Sequence, residues 1–219
     1  MTAPRLVLWD IDGTLLRAGG VSRDAFAAAL LEVVGADLPA DLSFAGRTDP
    51  WIAAAVLERA GADPALATAL LRRYSAELAR RHREVAARGT VLAGAREALA
   101  ALAARPVLQG VVTGNLGSTA RVKLAALALD EHLDLDASAY GDDAATRDEL
   151  VPIALARAGG PPAEQVWVVG DTPHDLSCAR AAGARCLLVA TGGYPLAELA
   201  DLGADAVRPD LSDVLDVLV

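Results

Sequence analysis

The sequence predicts an α/β fold: one parallel sheet with helices on both faces, and an all-helical segment inserted after the first strand. Three observations lead there. Short apolar runs alternate with helical patterns over most of the 219 residues. A helix between two runs supplies the crossover that parallel neighbours need. Between residues 17 and 89 the rhythm stops and only helical patterns remain. A chain of this length holds one core with a small inserted module.

The first run, Arg5–Asp10, holds Leu6, Val7, Leu8 and Trp9 without interruption, as a strand buried on both faces requires. In the insert, helices are expected at Ser22–Val34, Pro50–Ala60 and Pro64–Ala87. Asp49-Pro50 and Asp63-Pro64 mark two starts, with aspartate as N-cap and proline at the first helical position. In the third helix Leu66, Leu70, Tyr74 and Leu78 recur at helical spacing. Arg72, Arg73, Arg80, Arg81 and Arg83 lie largely elsewhere and read as a solvated face. The alternation then resumes with helix Gly94–Ala104, strand Val107–Thr113, helix Gly117–Leu129, strand Leu135–Tyr140 and helix Arg147–Ala158. Strand Gln165–Gly170, helix Pro173–Ala182, strand Arg185–Ala190, helix Pro195–Leu202 and a weaker strand near Ala204–Val207 complete it. The expectation is a Rossmann-like core of residues 1–16 and 90–219, with residues 17–89 as the helical insert.

Composition narrows the function. Hydrophobic residues at 53% and charged residues at 22% are a folding composition, and aromatics at 4% leave Ala, Leu and Val to build the core. A net charge of -9 opposes sequence-independent nucleic-acid binding, which needs Lys and Arg to displace counterions. It also repels anionic membrane surfaces, so an anionic substrate must be drawn by local groups. No apolar run reaches transmembrane length, and the first is too short and too soon stopped by an acid to be a signal peptide. A cytoplasmic monomer or homodimer, without nucleic-acid or membrane partners, is expected. Cys178 and Cys186 lack metal-ligand spacing and should be reduced and buried.

Ligands of open parallel sheets bind beyond the carboxyl ends of the strands. The first strand ends in Asp10-Ile11-Asp12-Gly13-Thr14, the second in Thr113-Gly114-Asn115, and the fourth in "GDTPHD" with Asp171 and Asp175. Any one of these aspartates would pass as a turn former or helix cap. Together they place four carboxylates and a hydroxyl on one rim. Two carboxylates at about 4 Å repel by about 4 kcal/mol at an effective dielectric of about 20. A hard divalent cation resolves that conflict, and Mg²⁺ suits a site with few carboxylates and a phosphate.

At these residues the sequence resembles the haloacid dehalogenase-like hydrolase superfamily, on its phosphatase branch. "DIDGT" is similar to the first motif, "TGN" after an apolar strand to the second, and "GDTPHD" to the fourth. The helical insert occupies the place of the family's small cap domain. The resemblance implies that Asp10 is the nucleophile, forming an aspartyl-phosphate. It implies that Asp12 is the general acid and then base, its backbone carbonyl facing the metal. Asp171 would complete the Mg²⁺ site with Asp10 and Asp12, and Asp175 would be a further ligand or an acceptor behind it. Thr113 would hydrogen-bond a phosphoryl oxygen beside the N–H groups of Gly114 and Asn115. A phosphate ester's alkoxide gains from protonation, whereas a departing halide does not, so Asp12 favours the phosphatase branch.

The family also needs a cation beside the nucleophile. Arg147, opening "TRDELVPIALARA", is preferred; Lys123, inside "STARVKLAALAL", is the competitor, where a solvated helix face is the simpler reading. Arg47, in "FAGRTDPWI", resembles the cap-loop position facing the active site and is a candidate for a substrate carboxylate or second phosphate. His174 could line the rim. The expected substrate is a small phosphorylated metabolite, with phosphoglycolate-like or sugar phosphates suggested by resemblance alone. Two alternatives stand beside hydrolysis. One is a phosphomutase of the same superfamily; the other is a phospho-accepting signalling or partner-binding module without turnover.

Overall fold

The structure, a computed structural model, describes residues 5–219; residues 1–4, the start of the expected first core segment, lie outside the described residues. Strand β1 (Leu6–Trp9) is buried throughout and leads by a turn into the short β2 (Leu16–Arg17). Helices α1 (Val21–Val34), α2 (Asp49–Arg59), α3 (Ala67–Arg80) and α4 (His82–Arg88) follow, and β3 (Thr90–Val91) then pairs antiparallel with β2. The chain continues through α5 (Ala95–Ala103), β4 (Leu108–Val111), α6 (Gly117–Ala126), α7 (Leu150–Arg157), β5 (Val166–Gly170) and α8 (Pro173–Ala181). It ends with β6 (Arg185–Val189), α9 (Leu196–Ala200), β7 (Ala206–Arg208) and α10 (Leu215–Leu218).

The main sheet is parallel, in the order β4-β1-β5-β6-β7. Successive side chains of β1 point to opposite faces. Val7 and Trp9 join the layer that contains Leu99, Leu102, Ala120 and Leu124 of α5 and α6, whereas Leu6 and Leu8 pack with Leu150, Val151, Cys178 and Ala179 of α7 and α8. The layer under Trp9 runs on without a break into Phe26, Leu30, Leu70 and Tyr74, so the helices between β2 and β3 share one apolar body with the sheet.

Register fixes the site. Trp9 lies opposite Val111 on one side and Val169 on the other. Val112 N–H donates to Trp9 O at 2.9 Å and Asp10 N–H to Val169 O at 2.8 Å. The residues that follow, Asp10, Thr113 and Asp171, therefore leave the sheet side by side.

Three expectations need correction. Leu135–Tyr140 is not a strand: pairing there is a single parallel bridge between Val112 and Ala139. Side chains take over the backbone's partners. The Asp134 carboxylate accepts from Asp136 and Ala137 N–H at 3.0 and 2.9 Å, and Ser138 Oγ accepts from Val111 N–H at 2.8 Å. The expected helix Pro64–Ala87 is a short 3-10 turn (Pro64–Leu66) and then α3 and α4, broken at Arg81. Arg81 N–H is shared between Glu77 O and Leu78 O at 3.3 and 3.0 Å, so the ladder tightens by one residue there. Asp49 is not the cap of α2: Thr48 is, its hydroxyl accepting from Trp51 N–H at 3.2 Å. Asp63 does cap the turn at Pro64, through Ala65 N–H at 2.9 Å. Cys178 and Cys186 are buried free thiols.

Candidate active site

The carboxylates at the strand ends divide into two groups, each with its own cation. The first is Asp10, Asp171 and Asp175, all buried, with one carboxylate oxygen from each within 4.8 Å of the others. Arg147, only 9% exposed, lies across them. Its Nη2 stands 3.1 Å from Asp10 Oδ1 and also ion-pairs with Asp175, while its buried Nε has no partner. Asp175 Oδ2 accepts from Thr172 N–H and Oγ1 at 3.0 and 2.7 Å, the capping box of α8. Asp171 Oδ1 accepts from Thr14 Oγ1 at 3.1 Å.

Backbone crowds Asp171 from two sides. A Cβ on Gly192 would lie 1.7 Å from Asp171 Oδ2, and one on Gly13, whose φ is 92°, would lie 2.6 Å from it. Only glycine fits at either position.

The second group is Asp12, Thr113, Asn115 and Lys123. Asp12 Oδ2 accepts from Lys123 Nζ at 2.5 Å and from Asn115 Nδ2 at 2.8 Å. Asn115 Nδ2 also donates to Thr113 Oγ1 at 2.8 Å, and its Oδ1 accepts from Lys123 Nζ at 2.5 Å. Lys123 is 2% exposed, so the reading of it as a solvated helix residue is wrong. It lies on the stripe of α6 that buries Thr119, Ala120 and Leu124. The alternatives posed for the cation thus resolve into two cations: Arg147 beside Asp10, Lys123 beside Asp12. Engagement by Lys123 and Asn115 also keeps the Asp12 carboxylate out of the three-carboxylate group. The potential metal-holding group is therefore Asp10, Asp171 and Asp175, and the Asp12 side chain is not part of it.

Electrostatics follow the same division. Burial pushes the Asp10 carboxyl up, against the pull of Arg147, and Asp175 and Asp12 add to the rise. Asp171 is pushed up by burial and by the charges of Asp10 and Asp175. These buried, mutually repelling oxygens are a hard donor set of the kind Mg²⁺ prefers, so the residues fit the metal that the sequence suggested. Asp49 is pushed up to about 6 by burial, with Lys123 pulling the other way.

These shifts make stability depend on pH. Asp10 and Asp171 rise from 3.8 to about 7 and about 8. Between those limits the folded chain holds more protons than the unfolded chain, so metal-free stability falls as pH rises. Thermal unfolding in chelator should show the melting temperature falling from pH 5 to pH 8, a loss on the order of a few kcal/mol. Mg²⁺ should restore more of it at pH 8 than at pH 5. A melting temperature that climbs over that window without metal would contradict the assignment.

Above the carboxylates is a cavity of about 520 Å³, with Phe44, Ile52 and Tyr74 of the helical segment opposite Asp10 and Asp171. Arg47 is at its exposed rim, its guanidinium stacked 4.4 Å above the Trp51 ring. Gly46 presses on His174, where a Cβ would lie 2.4 Å from the imidazole Cδ2, so the segment's loop touches the start of α8. Burial holds His174 below its ordinary value, and Arg47 and Arg147 add to the fall. Gly114 and Asn115 follow Thr113 as expected, but the Asn115 side chain serves Asp12, and Gly114 O accepts from Asp49 N–H at 2.7 Å.

Thr14, Gly192 and Asp49 join the site without having been marked for it by sequence, and Lys123 joins it in a role of its own. Thr14 was within reach, as part of the "DIDGT" motif. Gly192 carries no signal beyond a Gly-Gly turn.

The model of the haloacid dehalogenase-like hydrolase family matches residues 7–180, and a second model described as HAD-hydrolase-like matches residues 146–215. The phosphoglycolate phosphatase of Rhodospirillum rubrum is 34% identical over 223 residues, spanning 98% of this chain and 91% of that protein. Among solved structures, CbbY from Rhodobacter sphaeroides in complex with phosphate superposes with a TM-score of 0.79 at 20% identity, covering 96% of each chain. A hydrolase from Pseudomonas syringae does so at 0.73 and 24%, covering 98% of this chain and 97% of that one.

Proposed function

Because this chain belongs to the haloacid dehalogenase-like hydrolase family, we propose that it is a Mg²⁺-dependent phosphatase of a small phosphorylated metabolite, working through an aspartyl-phosphate on Asp10. The observation that carries this reading is the buried group of Asp10, Asp171 and Asp175 around Arg147, with Asp12 held apart on Lys123.

In this reading an Asp10 carboxylate oxygen attacks phosphorus and the bond to the leaving alcohol breaks. Asp12 donates its proton to the departing alkoxide oxygen. Water then attacks the aspartyl-phosphate, Asp12 takes a proton from it, and inorganic phosphate and free Asp10 result. Lys123 and Asn115 hold Asp12 on the leaving-group side. Arg147 opposes the rise that burial imposes on Asp10 and aims its carboxylate, and its second ion pair to Asp175 fixes its own position. The Thr113 hydroxyl, whose oxygen already accepts from Asn115, and the Gly114 N–H supply donors for phosphoryl oxygens. A bound Mg²⁺, held by Asp10, Asp171, Asp175 and the Asp12 carbonyl, would neutralise charge on the transferring group.

Residues 17–89 act here as a cap that closes the cavity over the substrate. Arg47 has no carboxylate partner among the described residues, which supports a role in gripping a second anionic group of the substrate. The name of the Rhodospirillum rubrum relative makes phosphoglycolate the first compound to try. No helix among the described residues is long and apolar enough to cross a membrane; a cytoplasmic location remains part of the proposal.

The test is phosphate release from phosphoglycolate, sugar phosphates and an aryl phosphate, with Mg²⁺ and with chelator. Turnover should need Mg²⁺. Arg47→Ala should raise KM for phosphoglycolate about tenfold and leave that for the aryl phosphate within about twofold, as loss of one charged hydrogen bond implies. Turnover undiminished in chelator would refute the metal assignment, and a stable phosphoprotein without release would favour a module that only accepts phosphate.

A further inference from the structure

Helix α6 begins where the Thr113–Asn115 loop ends, and its N-cap residue, Leu116, has no side chain able to cap it. Asp142 Oδ1 accepts from Gly117 N–H at 2.9 Å, and the Leu116 N–H is met from 67 residues away. Asp49 Oδ2 accepts from Leu116 N–H at 2.8 Å, and Thr119 Oγ1 shares its hydrogen between Leu116 O at 3.0 Å and Asp49 Oδ2 at 3.2 Å. Asp49 N–H donates to Gly114 O at 2.7 Å. Asp49 thus holds the loop at its middle and at its exit into α6. Gly114 O and Asn115 N–H belong to one rigid peptide plane, so tying the oxygen also sets the N–H, which donates to Thr113 Oγ1 at 3.3 Å and so fixes that hydroxyl.

A charge in the first turn of α2 favours its dipole, but that role does not require the carboxylate to be buried against α6. Thr48 already caps α2, yet Asp49 is 5% exposed, and an ionised carboxylate is costly to bury without a role. The two segments meet too closely for chance contact: a Cβ on Gly114 would lie 2.2 Å from Arg47 O.

We infer that Asp49 is a positioning residue, capping α6 from the helical segment and setting the Thr113–Asn115 loop, so that the phosphoryl-binding loop is complete only while that segment is seated on the sheet. Lifting the segment breaks Asp49's three bonds and leaves Leu116 N–H and Gly114 O without partners. Substrate enclosure and loop assembly are then one event. The consequence for turnover rests on the phosphatase reading above, whereas the coupling of the loop to the segment does not.

Hydrogen exchange of the full chain, read on a peptide covering residues 114–120, tests the coupling without any substrate. Asp49→Ala should speed exchange there about tenfold or more, and Asp49→Asn, which keeps an acceptor oxygen, should stay within about threefold of the unaltered chain. Peptides from β1 and β5 report whether the variant is folded. If Asp49→Ala does not fold, Thr119→Val removes the partner hydroxyl and should still speed exchange about threefold. With a hydrolysed ester in hand, Asp49→Ala should lower kcat about tenfold with KM within about twofold. Unchanged exchange at 114–120, an Asn variant as damaged as the Ala variant, or a rise in KM alone would each overturn the inference. A chain that shows the exchange effect but hydrolyses no ester would overturn the phosphatase reading and leave the coupling standing.

Discussion

Asp10→Asn is expected to lower phosphate release by at least about 10⁴-fold, because the amide cannot supply the attacking anionic oxygen. The shape of the side chain is kept, so the loss is chemical. Stability should move the other way. Burial and the neighbouring carboxylates disfavour the ionised form of Asp10, and a neutral amide removes that repulsion. The metal-free Asp10→Asn variant should therefore melt at or above the temperature of the unaltered chain at pH 8. Steady-state phosphate release and thermal unfolding in chelator read the two effects separately. Substantial turnover in the variant would remove Asp10 as nucleophile, and a lower metal-free melting temperature would contradict the electrostatic account of the site.

Arg147→Met should give the largest loss of stability. It leaves Asp10 and Asp175 facing each other in a buried site with no cation, and breaking a buried pair from one side costs about 3–5 kcal/mol. Mg²⁺ should recover part of that loss, because it also answers the carboxylates' charge. Lys123→Met is the contrast. The Asp12 side chain is 42% exposed and can turn to water when its partner goes, so the cost should be that of the buried Asn115 Oδ1 left without a donor, about 1–3 kcal/mol. Its effect should appear in kcat, most with poor leaving groups, since the group that protonates the alkoxide is no longer held. Thermal unfolding with and without Mg²⁺, beside kcat on esters of differing leaving-group pKa, separates the two cations. Equal destabilisation by both substitutions would count against the division of the site into two charge-balanced groups.

Much of this site could be read along the chain because its acids follow directly on β strands. Asp10 and Asp171 stand one residue beyond β1 and β5, and an unbroken apolar run before an acid announces both the strand and its end. The proline starts at Pro50 and Pro64 marked helix beginnings for a similarly local reason. Local pattern and structure part where a side chain replaces a backbone partner. Asp134 and Ser138 turn a strand-like apolar run into a bracket of side-chain bonds, and Thr48 makes the cap that the Asp-Pro pair predicts for Asp49.

What stayed hidden was partnership at a distance. Lys123 meets Asp12 across 111 residues and Asp49 meets Leu116 across 67, and neither separation leaves a periodic trace in the chain. The order of residues determines the strands, their acidic ends and the helical insert, because those depend on hydrophobic period and local stereochemistry. Only the tertiary structure decides that β1 lies between β4 and β5, that one cation goes to each aspartate of the first motif, and that Asp49 holds the second motif's loop. Those outcomes depend on which buried charges come within hydrogen-bonding reach once the sheet has chosen its strand order, and that choice is made by packing across the whole chain.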